Sequence, residues 1–118
     1  MFEILPESTE TCIGFKVSGK VSAEDYEPLL AKMDDAIAKH GKVNLLVTGN
    51  FSGYEDMDAV KADWDFGTRQ YRQVNKAAFV GDKKWQKWVV KLMAPFTRAE
   101  ERFFEPDQID QAWKWASE

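Results

Sequence analysis

Residues 77–96 read AAFVGDKKWQKWVVKLMAPF, and EERFFE follows at 100–105. The small and apolar run AAFV ends in Gly81-Asp82, a turn pair. Beyond the turn, Trp85, Trp88, Val89, Leu92, Met93 and Phe96 recur in steps of three and four. That spacing lays one apolar stripe along a helix. Lys83, Lys84, Gln86, Lys87 and Lys91 fall between the stripe positions. Both Trp rings therefore point away from most of the lysines, whereas a nucleic-acid stacking surface needs rings exposed beside cations. A helix set between two core strands is a crossover connection, not a membrane anchor. The reading over 77–105 is strand, helix, strand. It predicts a parallel pair, with Trp85 and Trp88 packed inward and Lys84, Lys87 and Lys91 in solvent.

The same alternation extends toward the N-terminus. Met57, Val60, Trp64, Gly67, Tyr71 and Val74 keep helical spacing. TGNFSGYED at 48–56, with two glycines, reads as a loop. VNLLV at 43–47 is a continuous apolar run, as in a strand covered on both faces. Upstream, Tyr26, Leu29, Leu30, Met33 and Ile37 form a helix stripe that Gly41 ends. Ser22 is its expected cap, with Glu24 and Asp25 in the first turn. Pro28 is expected to separate a short first turn from the main helix. In CIGFKVS at 12–18, Ile13, Phe15 and Val17 alternate with Cys12, Gly14, Lys16 and Ser18, which predicts a half-buried strand. FEIL at 2–5, ended by Pro6, is a shorter strand, antiparallel to the next. After EERFFE, Pro106 and Asp107 start a last helix with the stripe Ile109, Ala112, Trp113 and Ala116; Trp115 lies off it. The order ββαβαβαβα predicts an α/β fold: one domain over 1–118 with a mixed, mostly parallel five-stranded sheet and about four helices.

Composition sets outer limits on function. The chain has 118 residues, 44% of them apolar, and five Trp, eight Phe and three Tyr, enough for a core without staples. Sixteen basic and 20 acidic side chains give a net charge of −4, which provides no general drive toward polyanions, so no nucleic acid is expected. A single Cys12 excludes an intrachain disulfide framework and fits a reducing cytoplasm. No stretch approaches the roughly 20 apolar residues of a membrane span, and MFEILPE lacks the pattern of a secretion signal.

Few residues have the makings of chemistry. His40, the one histidine, precedes Gly41 at a helix end, where its cationic form suits the exposed carbonyls. Cys12 has no basic neighbour in sequence to activate it and reads as packing. Asp56, Asp58, Asp63 and Asp65 lack the order of a calcium loop and read as a solvated face. No phosphate-binding or nucleophile-elbow motif occurs. No catalytic residue, metal or cofactor is expected. Gly49-Asn50-Phe51-Ser52-Gly53 stands at the carboxyl end of a predicted strand, where open α/β sheets bind ligands. Ser52 and Gly53 are therefore the candidate loop or modification site.

Four stretches carry a resemblance: FSGYEDMDAVKADWDFG at 51–67, AAFVGDKKWQKWVVKLMAPF at 77–96, RFFEP at 102–106 and QAWKWASE at 111–118. Together they resemble the SpoIIAA-like family, small bacterial proteins related in fold to STAS domains. The closest motif is VGDKKWQKW with PFT at 95–97. The resemblance covers essentially the whole chain. It implies a single β/α domain of the STAS kind, whose members act as interaction modules such as anti-sigma-factor antagonists. In the antagonists a serine in an Asp-Ser-Ser/Thr-Gly loop is phosphorylated. Phe51-Ser52-Gly53 matches that loop by position only. The preceding Asp is absent, and Tyr54-Glu55-Asp56 would repel an added phosphate.

The expected function is a noncatalytic regulatory or scaffold domain that binds another protein, with a homodimer compatible. The alternative is a carrier of a small apolar ligand or lipid, suggested also by a likeness to the CRAL-TRIO fold. Its pocket would be lined by Phe51, Tyr54, Trp64, Phe66, Trp85, Trp88 and Phe96.

Overall fold

Five strands form one sheet in sequence order: β1 (Phe2–Ile4), β2 (Cys12–Val21), β3 (Val43–Tyr54), β4 (Val74–Val80) and β5 (Glu100–Phe104). The computed structural model describes residues 2–65, 74–82 and 100–118, without the side chains of 50–54, 63 and 64. Within them lie three α-helices, α1 (Tyr26–His40), α2 (Met57–Asp65) and α3 (Ile109–Ser117). Short 3-10 turns at Ala23–Asp25 and Pro106–Gln108 lead into α1 and α3. β1 runs antiparallel to β2, and β2 through β5 are mutually parallel. The mixed, mostly parallel sheet is the one the alternation predicts. The helix expected after Gly81-Asp82, with Trp85, Trp88 and Phe96, lies outside the described residues.

Strands that pair in sequence order through crossovers of one hand put the connecting helices on one face. α1 and α2 share that face. Ile13, Phe15 and Val17 of β2, Val43, Leu45 and Val47 of β3, and Ala77 and Phe79 of β4 meet Tyr26, Leu29, Met33 and Ala36 of α1 there. Leu30, Ile37 and Ala62 pack on the margin. α3, following the edge strand β5, covers the opposite face over Cys12, Leu46, Ala78, Val80 and Phe104, with Ala112 and Ala116 against them. β2 is therefore not half-buried at its start: Cys12 and Gly14 are covered by α3, and only from Lys16 does its second face open.

The start of α1 follows its sequence signals. The Ser22 hydroxyl accepts from the Asp25 N–H and the Asp25 carboxylate accepts from the Ser22 N–H, closing a reciprocal cap. α1 begins at Tyr26, so Pro28 falls in its first turn, where the missing N–H has no helical partner to lose. Gly41 ends the helix at φ 75°, a left-handed position that glycine adopts without strain.

Three expectations need correction. Residues 48–54 are strand, not loop, because β3 continues beside β2 as far as Tyr54↔Val21. Val74 opens β4 and pairs with Val43, so it does not belong to the preceding helical stripe. On α2 the buried side is Ala59, with Ala62 partly buried, while Met57 and Val60 are exposed. Two alanines three apart satisfy the same period as the longer apolar residues, so spacing alone left the helix's rotation open.

Candidate functional site

At the carboxyl edge of the sheet, β3 outruns its neighbour. Its pairing with β4 ends at Thr48↔Val80, while its pairing with β2 continues from Val17↔Gly49 to Val21↔Tyr54. Gly49 makes the divergence possible. Its φ is 120°, and a Cβ there would lie 1.9 Å from the Val17 carbonyl oxygen. Further on, Gly19 pairs with Phe51 and Lys20 with Gly53, which leaves Ser52 as the extra residue of a bulge. Ser52 and Gly53 thus sit in a bulged strand rather than a free loop. The Glu55 N–H then bonds to the Val21 carbonyl at 2.7 Å, and the chain turns into α2. Asp56 caps that helix, its carboxylate accepting from the Ala59 N–H at 3.0 Å. Glu55, Asp56, Met57, Asp58, Val60 and Lys61 are all exposed there.

Of the seven residues proposed to line an apolar pocket, Phe51 and Tyr54 lie on this β3 extension and Trp64 on α2. Phe66, Trp85, Trp88 and Phe96 lie outside the described residues.

Under α3 is a second cluster, which the sequence pattern did not reveal. The Asn44 amide donates to the Ala116 carbonyl at 2.7 Å, and its oxygen accepts from the Lys76 N–H at 3.1 Å. The Lys76 ammonium donates to the Trp115 carbonyl at 3.4 Å and lies 5.4 Å from the Trp115 ring centre. Arg102 approaches the same ring at 5.9 Å and the Phe104 ring at 5.5 Å. These groups meet the last carbonyls and negative pole of a helix end. They hold α3 in place. The only sequence cue was a polar Asn44 beside an apolar run. Trp113 of α3 lies over Gly14, where a Cβ would come within 2.3 Å of its ring.

The remaining titratable candidates are also occupied by the fold. Burial pushes the Cys12 thiol up, against a smaller lowering by its hydrogen bond with Ser117. A protonated, buried thiol is a poor nucleophile. His40 Nε2 lies 3.2 Å from a Glu10 carboxylate oxygen and ties the end of α1 to the β1–β2 connection. Among the described residues, no three His, Cys, Asp or Glu side chains group to hold a metal, and no helix is long and apolar enough to cross a membrane.

The model of the SpoIIAA-like family matches residues 12–117. The chain belongs to the SpoIIAA-like family. A crystal structure of an uncharacterized DUF3478-family protein from Shewanella loihica PV-4, with a SpoIIAA-like fold, is similar at a TM-score of 0.73 and 24% identity. The likeness covers 98% of this chain and 93% of that one, and it establishes the fold. No curated protein matches the sequence.

Proposed function

We propose that this SpoIIAA-like domain is a noncatalytic regulatory or scaffold module that works by binding another protein. The observation that carries the reading is how the reactive side chains among the described residues are used. Cys12 is buried with its thiol held protonated, Asp25 and Asp56 cap helices, and His40 pairs with Glu10 at a helix end. Groups committed to caps and packing supply stability rather than an acid–base pair. Related STAS domains, as interaction modules, favour the same reading. Affinity capture from a bacterial lysate, with the whole chain as bait, tests it. A stoichiometric protein partner is the expected result. A chain that returns free of protein but carrying a lipid in native mass spectrometry would overturn it.

A further inference from the structure

α2 is built inside out. Its core side is Ala59, fully buried, with Ala62 beside it, while Met57 is 76% and Val60 39% exposed. Met57 and Val60 are three apart, hence neighbours on one turn. Among the described residues they are the exposed large apolar side chains. Single apolar residues on a surface are ordinary. A pair on one turn, outside a helix whose described inward side chains are Ala59 and Ala62, is not what packing alone selects.

Charge singles out the same segment. Residues 55–65, EDMDAVKADWD, hold five acids and one lysine, a net −4. The whole chain is also −4, from 20 acids and 16 bases, so the remaining residues hold 15 of each and balance. The molecule's entire charge excess sits on and beside α2, at the carboxyl edge of the sheet. Glu55, Asp56 and Asp58 are exposed around Met57.

From this coincidence we infer that the Met57–Val60 face of α2 docks a basic segment of a protein partner, in which an apolar side chain lies between lysines or arginines. This rests on the interaction-module reading above and names the surface and the partner's chemistry. The apolar pair supplies contact area, and the acids steer and orient a cationic segment. A second copy docking by the same face would set net −4 against net −4, and an anionic lipid surface would meet the same repulsion. Both are therefore disfavoured occupants.

The test uses the whole chain and a fluorescent synthetic helical peptide of alternating lysine and leucine turns. A second peptide has each leucine replaced by serine. The expected results are binding of the first peptide and weaker binding of the second. For the double variant Met57→Ser/Val60→Ser, affinity should fall by roughly tenfold or more, as loss of an apolar anchor requires. Its thermal midpoint should fall by no more than a few degrees, since Met57 is 76% and Val60 39% exposed. Asp58→Lys should weaken binding, and added salt should weaken it further. Equal affinity of wild type and the double variant, equal affinity for both peptides, or no binding would overturn the inference. So would wild-type self-association that the double variant abolishes, which would assign the face to a second copy. In the lysate experiment, a partner captured equally by wild type and the double variant sinks this surface and leaves the module reading standing. Capture by neither, with the peptide bound normally, sinks the module reading instead.

Discussion

Gly49 is a residue whose role the sequence understated. It reads as a loop glycine, yet it sits inside β3 at φ 120°, with the Val17 backbone where a side chain would begin. Gly49→Ala should cost more than about 3 kcal/mol, because backbone cannot move aside as a side chain can and the conformation itself is strained. Gly19→Ala is the control: φ is 64° but nothing lies within 4 Å. It should cost only about 1–2 kcal/mol. Urea denaturation of the two variants checks the ranking, and equal midpoints would remove the close-approach argument. Cys12 gives a pH signature at the same scale. Its buried thiol titrates above its ordinary value of 9.0, so the unfolded chain loses the proton first as pH rises. The contribution is present below the unfolded value and is lost as pH climbs through and beyond it, by up to about 1.4 kcal/mol per pH unit. Cys12→Ala should show a shallower alkaline decline in stability. Identical profiles for the two proteins would mean that the thiol is not held protonated.

Elements differed in how plainly the sequence announced them. α1 was legible because several signals agree: the Ser22 cap, acids in the first turn, a stripe through Tyr26, Leu29 and Met33, and Gly41 past the end. The second half of β3 was not, since TGNFSGY is rich in turn formers and its strand state depends on pairing with distant β2. α2 keeps the expected period but turns Ala59 and Ala62 toward the core, because alanine is apolar enough to face inward. The candidate loop at Ser52 and Gly53 depended on the same turn formers, and in the fold both residues lie in the bulged end of β3. The reciprocal cap of α1 makes a prediction at this scale. Ser22→Ala should lower stability by about 1 kcal/mol. Burial acts to raise the Asp25 carboxyl, but bonds from the Ser22 backbone and side chain contribute to a net lowering below its ordinary 3.8. A lowered carboxyl stabilises above its unfolded value, and that contribution is lost as pH falls through the folded one. Acid titration monitored by circular dichroism should show the wild-type advantage over Asp25→Asn vanishing below about pH 4. An advantage that persists at pH 2 would contradict the cap's role.

At the scale of the molecule, a sheet in sequence order has α1 and α2 on one face and, among the described elements, α3 on the other. α3 is short, and its second half is secured to three strands. Trp113 lies against Gly14, and Asn44 and Lys76 reach the carbonyls of Ala116 and Trp115. Asn44 is the keystone, because one amide also receives the Lys76 N–H where β4 shifts register against β3. Removing it deprives a backbone N–H and a helix carbonyl of partners in a partly buried place, at about 1–3 kcal/mol for such a group. Asn44→Ala should therefore destabilise the whole domain rather than loosen α3 alone, since the same side chain joins strand to strand and strand to helix. Hydrogen exchange separates these outcomes. Global coupling predicts faster exchange at core amides of β3 and β4, such as Leu46 and Phe79, in parallel with α3. Faster exchange confined to 109–117 would mean that α3 is an independent cover and that the sheet stands without it.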